Sequence, residues 1–200
     1  MRDPVLYLLL LGVLTPSYIG TTIFFHQGHL IDLRGYDRLA FAAAFPVMAI
    51  TTVTFGLICG YLIDRFGFIR ILPFFLVPMF VASLTAAAIT ALPGIYLFMF
   101  LFGISYGLTS TMSGVLWPEI YGTEHLGAIR SIVISAMVLS TALGPGVSGA
   151  LIDRGITLPD QLWWMAGWCV IASGALISAA RRIQARRDVQ LAETLAGQPS

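Results

Sequence analysis

Charged residues fall at wide intervals along the chain, and the apolar stretches between them set its architecture. Asp3 to Asp32 encloses 28 uncharged positions, Arg38 to Asp64 encloses 25, Arg130 to Asp153 encloses 22 and Asp160 to Arg181 encloses 20. Each interval holds the roughly 20 mostly apolar residues that a helix needs to cross a bilayer. Between Arg70 and Glu119 lie 48 uncharged positions. One straight helix of that length, at roughly 1.5 Å per residue, would be about twice the hydrocarbon thickness. Leu92-Pro93-Gly94 supplies a turn that divides it in two. The pattern therefore predicts an all-α membrane protein with six spans near 5–25, 39–62, 71–90, 95–116, 129–151 and 162–180. Together they form a transmembrane domain over 1–183, followed by a cytoplasmic tail over 184–200.

Composition removes the soluble alternatives. With 58% hydrophobic and 10% charged residues in 200, a water-exposed surface would hold too few charges to stay dispersed. Mean hydropathy is +0.87. A net charge of +1, without a basic patch interleaved with aromatics, excludes a nucleic-acid partner. Cys59 and Cys169 each lie inside an apolar run, so neither a disulfide framework nor a paired metal spacing is written. They are expected to be small packing residues, with no metal or cofactor. Met1-Arg2-Asp3-Pro4 is weakly basic, and no small-residue cleavage site bounds the run after it, so the first segment is expected to stay as a span. All eleven basic residues are arginines. Arg2, Arg65, Arg70, Arg130, Arg181, Arg182, Arg186 and Arg187 would share one face, against Arg34, Arg38 and Arg154 on the other. Eight against three puts both termini in the cytoplasm of a multi-pass cell (inner) membrane protein. The arginines after Ala180 either fix this topology alone or also rest on anionic headgroups.

Gly60-Tyr61-Leu62-Ile63-Asp64-Arg65 recurs as Gly149-Ala150-Leu151-Ile152-Asp153-Arg154, each copy ending the second helix of a triplet. Three helices is an odd number, so two copies lie on opposite membrane faces, as an inverted three-plus-three repeat requires. Chance similarity over six residues, two of them common types here, is the competing reading.

The first copy, continued through Phe66 and Gly67, resembles the Gly-x-Leu-x-Asp-Arg-x-Gly signature of the major facilitator superfamily, matching at Gly60, Leu62, Asp64, Arg65 and Gly67. Phe68 and Ile69 stand where that family carries basic residues, leaving Arg70 as the late one. Trp117-Pro118-Glu119-Ile120-Tyr121-Gly122 through Arg130 resembles the loop between its tenth and eleventh helices, and Arg2-Asp3-Pro4 the lead into its seventh. The resemblance implies the C-terminal six-helix half of a secondary active transporter of small solutes, working by alternating access around a midplane site. Its partners would be membrane lipid, a small-molecule substrate, and either an N-terminal six-helix half or a second copy. Gly60, Asp64, Arg65, Gly67, Arg70, Glu119 and Arg130 would then form its gating motif, with Asp64 against a helix N-terminus of the other half, where the dipole favours a carboxylate by about 0.3–1 kcal/mol. Topology marking is the plainer role for Asp64 and Arg65.

The family's first and fourth helices face the substrate path. Here helix one carries Thr15, Tyr18, Thr22, His26 and His29 along a stripe, and helix four carries Ser105, Thr109 and Ser113 at helical spacing with Tyr106 beside them. Tyr18, Thr22, His26, Ser105, Tyr106 and Thr109 are the substrate-cavity candidates. Hydroxyls in membrane helices also pair with their own backbone or let helices approach closely. His26 could relay protons or simply meet water at the outer end. Apart from Arg130 at the very edge of the fifth, no Asp, Glu, Lys or Arg falls inside a predicted span. Gly56-x-x-x-Gly60 and Gly103-x-x-x-Gly107 read as close helix packing, and Ala142-Leu143-Gly144-Pro145-Gly146 as packing or a bend.

Six helices and Gly146-Val147-Ser148-Gly149 also fit an intramembrane serine protease, but that chemistry needs a histidine on the last helix, and 162–180 contains none. The expectation is not an enzyme. The alternative to a transporter half is a non-transporting membrane subunit or an inert truncated fragment.

Overall fold

The structure, a computed structural model, describes residues 3–196. Arg2, one of the eight arginines counted above, and residues 197–200 of the expected tail lie outside the described residues. Among the described residues every regular element is helical: α1 (Pro4–Phe25), α2 (Gln27–Arg34), α3 (Arg38–Ala42), α4 (Phe45–Phe66), α5 (Phe68–Ile71), α6 (Val77–Ala88), α7 (Leu92–Tyr121), α8 (Leu126–Ile152) and α9 (Leu158–Ala196). Six stretches are long and apolar enough to cross a membrane: α1, α3 with α4, α5 with α6, α7, α8 and α9.

Local chemistry sets the ends. Asp3 caps α1, its carboxylate accepting from the Val5 amide at 3.1 Å, and Pro4 follows where no amide hydrogen is needed. The third span is not one helix. A 3-10 turn at Leu72–Phe74 separates α5 from α6, where Pro73 and Pro78 withhold the amide hydrogens that would carry the ladder through. The turn ahead of the fourth span lies at 89–91, so Leu92-Pro93-Gly94, expected to be that turn, is already the first turn of α7. The resemblance made Trp117–Gly122 part of a loop, yet Trp117 to Tyr121 is the last turn of α7, with Trp117 buried, and the connection is Gly122 to His125. The last helix continues without a break past residue 180 to Ala196.

Arg186 reaches back to Asp3, Tyr121 donates to Asp3, and Arg187 pairs with Glu119, so the start of α1, the end of α7 and the extension of α9 meet at one end of the bundle. At the opposite end Arg34 donates to the carbonyls of Ala87 (2.8 Å) and Ile89 (2.5 Å), where the last turn of α6 leaves acceptors free. Arg65 closes α4 at the Asp3 end, and Arg154 follows α8 at the Arg34 end.

The helix pairing is that of an inverted repeat. The main packed pairs are α1 with α8 and α9, α4 with α7, and α6 with α7 and α9. Numbering the spans one to six, exchange of one with four, two with five and three with six turns this set of pairs into itself. The short sequence repeat belongs to a longer one: Met48 to Arg65 aligns without a gap on Met137 to Arg154, setting Thr51 on Ser140, Thr52 on Thr141 and Cys59 on Ser148. The fold is all-α, a three-plus-three inverted repeat of six spans.

Small residues bring the pairs together. A Cβ on Gly103 would lie 2.6 Å from the Met48 carbonyl oxygen, and one on Gly107 would lie 2.5 Å from that of Thr52, so the Gly-x-x-x-Gly face of α7 is where α4 crosses. Gly144 plays this part for α8, where a Cβ would lie 2.8 Å from the Tyr18 carbonyl oxygen. Two apolar cores fill the bundle, one at each end. They nearly abut along α6, at Leu76 and Met79, and along α9, at Ala172 and Cys169. Along α1 and α7 they are parted by Thr15 to Tyr18 and by Gly103 to Thr111, which creates a polar belt at mid-depth.

Candidate functional site

The polar belt is the part of the bundle where a solute could meet hydroxyl groups of α1 and α7 together. Most threonine hydroxyls in and beside it spend their hydrogens on their own helices, whereas Thr111 donates to the Gly56 carbonyl across the α4–α7 crossing at 3.0 Å. Thr15 donates to the Leu11 carbonyl at 2.8 Å, Thr22 to Tyr18 at 2.8 Å, Thr51 to Val47 at 2.6 Å, Thr52 to Met48 at 2.8 Å and Thr109 to Ser105 at 2.7 Å. What they still offer a ligand is lone pairs.

The six cavity candidates separate by burial. Thr22 is fully enclosed against Gly144, where α1 and α8 touch, and Ser105 is fully buried with its hydroxyl unpartnered among the described residues. Tyr18, Tyr106 and Thr109 are half-buried. The Tyr106 hydroxyl lies against Gly20, so α1 and α7 approach each other where that glycine leaves room. His26 lies at the Arg34 end, its Nε2 3.0 Å from the Pro145 carbonyl oxygen. A carbonyl only accepts, so in this contact Nε2–H is the donor. His29 falls on α2, outside α1, with a buried Nε2 that has no partner among the described residues. The Ser113 hydroxyl is likewise buried and without a partner among the described residues.

Thr21 was missed by the stripe argument. It borders an open groove between α1 and α8 together with Phe24, Thr141 and Pro145. A signal for it existed: Ser17-Tyr18-x-x-Thr21 on α1 is repeated as Ser105-Tyr106-x-x-Thr109 on α7. The inverted repeat thus sets the two tyrosines and the two threonines as counterparts.

The loop between the second and third spans lies at the Asp3 end. Gly67 ends α4 at φ +81°, a conformation a side chain rarely adopts, and Phe68 behind it is buried. Gly60 has open space, its nearest neighbour being Thr111 Cγ2 at 3.9 Å from a built Cβ. Asp64, Arg65 and Arg70 are exposed. Arg65 donates to the Tyr61 hydroxyl at 3.0 Å, and its guanidinium sits 5.6 Å from the Phe66 ring centre. Glu119 and Arg130 are not brought together: Glu119 accepts from Arg187 at 2.9 Å, while Arg130 reaches the Gly114 carbonyl at 3.5 Å. The Arg187 guanidinium also lies 5.1 Å from the Phe68 ring, joining the α9 extension to this loop.

The Asp3 cluster carries the strongest electrostatics. Two bonds from Arg186, at 2.7 and 2.9 Å, hold the Asp3 carboxyl down at about 2, helped by the Val5 amide and the Tyr121 hydroxyl and opposed by partial burial. Among the described residues no group of three metal-ligating side chains gathers.

This bundle of six spans can be placed among known proteins. The sequence model of the Major Facilitator Superfamily matches residues 2–194. The chain belongs to that superfamily. No curated protein matches it in sequence. As a Major Facilitator Superfamily member it is a multi-pass membrane protein of transporter type, and the half-length fold accounts for nearly the whole chain. The Gly60–Gly67 signature, which the resemblance implied to be a loop, forms the last two turns of α4, and Gly67 alone separates α4 from α5.

Proposed function

We propose that this chain is one six-helix half of a secondary active transporter of small solutes, moving by alternating access against another half. The observation that carries this is the uneven covering of its spans. Only 17% of the second span and 11% of the fifth are buried, against 39–50% of the other four. These two are counterparts in the repeat, and each is held mainly from one side, α4 by α7 and α8 by α1. A second half, separate or a copy of this chain, would cover both. Asp64, Arg65 and Arg70 stand exposed where it would dock, together with Gly60, Gly67, Glu119 and Arg130 of the gating motif. The solute would meet Tyr18 and Tyr106 with Thr21 and Thr109, while Thr22 and Ser105 keep the helices at their spacing. With no Asp, Glu, Lys or Arg at mid-depth, those contacts suit a solute whose recognition rests on hydrogen bonds and ring surfaces. The arginine asymmetry supports a cytoplasmic Asp3 end in the cell membrane.

Cysteine cross-linking combined with flux tests this. Cys59 and Cys169 are buried, so a thiol introduced at Leu57 or Leu139, both exposed, reports alone. Cross-links to a partner or second copy through Leu57→Cys and Leu139→Cys, but not through Val170→Cys on α9, are expected. A chain that stays monomeric in bilayers, gives no such cross-link and moves no solute in vesicles would refute the proposal.

A further inference from the structure

A crevice of about 480 Å³ opens between α8 and α9, with α1 as its floor. The two walls scarcely touch each other, since each packs instead on α1. The crevice falls within the roughly 300–1,000 Å³ of sites that hold a ligand. Its depth follows from the helices. Gln161 to Trp168 lie three to ten residues inside the start of α9 at Leu158, and Leu11 to Ile19 lie six to fourteen residues from the end of α1 at Phe25. At about 1.5 Å per residue, the α9 range falls in the half of the hydrocarbon layer nearer the Arg34 end, and the α1 range runs from that half to just past mid-depth at Leu14 and Leu11.

The walls decide what can occupy it. Leu11, Leu14, Val147 and Leu151 present alkyl surface, and no charged residue lines the space. Among the described residues, the polar side chains on its border are engaged, apart from the Tyr18 hydroxyl and the Trp164 indole. The Gln161 carboxamide accepts from Ser148 at 2.6 Å and donates to the carbonyls of Ser148 (3.3 Å) and Ile156 (3.0 Å). Ser140 donates to the Leu14 carbonyl at 3.3 Å, and the Trp168 indole donates to Thr15 Oγ1 at 3.0 Å, fixing the floor. Water needs two to four polar partners to settle and would find few here. Left empty, a space of this size would forfeit the dispersion contacts of every wall. Its rim is lipid-facing: Val147 is 46% and Trp164 60% exposed.

We propose that this crevice binds one acyl chain of a membrane phospholipid from the leaflet at the Arg34 end. The chain takes the place of direct packing between α8 and α9. Helix α8, anchored on α1, can then shift relative to α9 without opening a void. The site is independent of whether the protein moves a solute.

The probe is a phosphatidylcholine carrying a diazirine on its acyl chain, with the full-length protein purified into vesicles of that lipid. After photolysis, peptide mass spectrometry is expected to find adducts on Leu11 and Leu14 several-fold above those on the outward-facing Val170 and Ile171. Filling the crevice by Val147→Trp, or by Leu151→Trp should the first variant fail gel filtration, should suppress the Leu11 and Leu14 adducts and leave Val170 and Ile171 labelled. Even labelling of all four positions, or labelling unchanged by both fillings, would overturn the proposal. So would enrichment seen with a free photoactivatable hydrocarbon but not with the phospholipid, which would assign the crevice to a small apolar solute.

Discussion

Replacing Asp3 by Asn isolates the charge at the chain's closing contact, because Asn still caps α1 and still accepts from Tyr121. In the folded protein the Asp3 carboxyl titrates at about 2 instead of 3.8. At about 1.36 kcal/mol per unit, that difference would amount to about 2.4 kcal/mol. Solvent reduces it: the Arg186 side chain is 52% exposed and Asp3 23%. Screening of a pair this open leaves about 1 kcal/mol. The folded-state value is depressed, so the stabilisation is fully present above pH 3.8 and fades as the pH falls toward 2. A double-mutant cycle of Asp3→Asn with Arg186→Gln, measured by detergent-induced unfolding in mixed micelles, should give a coupling of about 1 kcal/mol at pH 7 that shrinks as the pH drops from about 5 to about 2. A coupling below about 0.3 kcal/mol at pH 7, or one that persists undiminished at pH 2, would refute the argument.

The α4–α7 crossing should tolerate no side chain at Gly107, where a Cβ would lie 2.5 Å from a backbone oxygen, but should accept one at Gly60. Gly107→Val is expected to destabilise by about 1–3 kcal/mol more than Gly60→Val in the same unfolding assay, and equal effects would contradict the crossing geometry. Arg65→Cys and Arg154→Cys should react with an impermeant maleimide from opposite sides of sealed vesicles, and labelling of both from one side would break the six-span topology.

The number and order of the spans could be read from charge spacing because the bilayer acts on averages: about 20 residues free of charge suffice whatever their identity. Interruptions within spans depend on single residues and were harder to foresee. Pro73 and Pro78 break the third span, but Pro93 starts α7, and the sequence around each gives little to tell stop from start. In sequence, Arg186 and Arg187 merely follow the apolar run, a pattern that suits a topology signal or a headgroup contact. Their partners, Asp3 and Glu119, lie 183 and 68 residues away in sequence, so no local pattern announces the clasp. The cavity stripes were half-informative for a related reason. Helical spacing names a face, but whether that face meets open space or another helix depends on the neighbour. Thr22 and Tyr18 share a stripe, yet Gly144 closes over Thr22 and leaves Tyr18 half-open.

The repeat itself explains why its sequence trace is so short. Symmetry acts on where helices cross, and a crossing can be built in more than one way. Where α4 meets α7 the glycines belong to the inner helix, Gly103 and Gly107, and the outer helix presents carbonyls. Where α8 meets α1 the arrangement is reversed: Gly144 is on the outer helix and the Tyr18 carbonyl on the inner. Each solution relieves the same close approach, so selection for the crossing need not preserve the residue at either aligned position. The shared Gly-x-Leu-Ile-Asp-Arg instead lies where α4 ends at one face of the bundle and α8 ends at the other, the two helix ends that the repeat exchanges. The divergence also makes the halves mechanically unequal. Proline 145 interrupts the hydrogen-bond ladder of α8 next to its glycine and offers its own carbonyl to His26, whereas α4 has no proline past its first turn. Of the two symmetry-related outer helices, α8 is thus the one with a built-in bend point, and it is also the one with a crevice beside it.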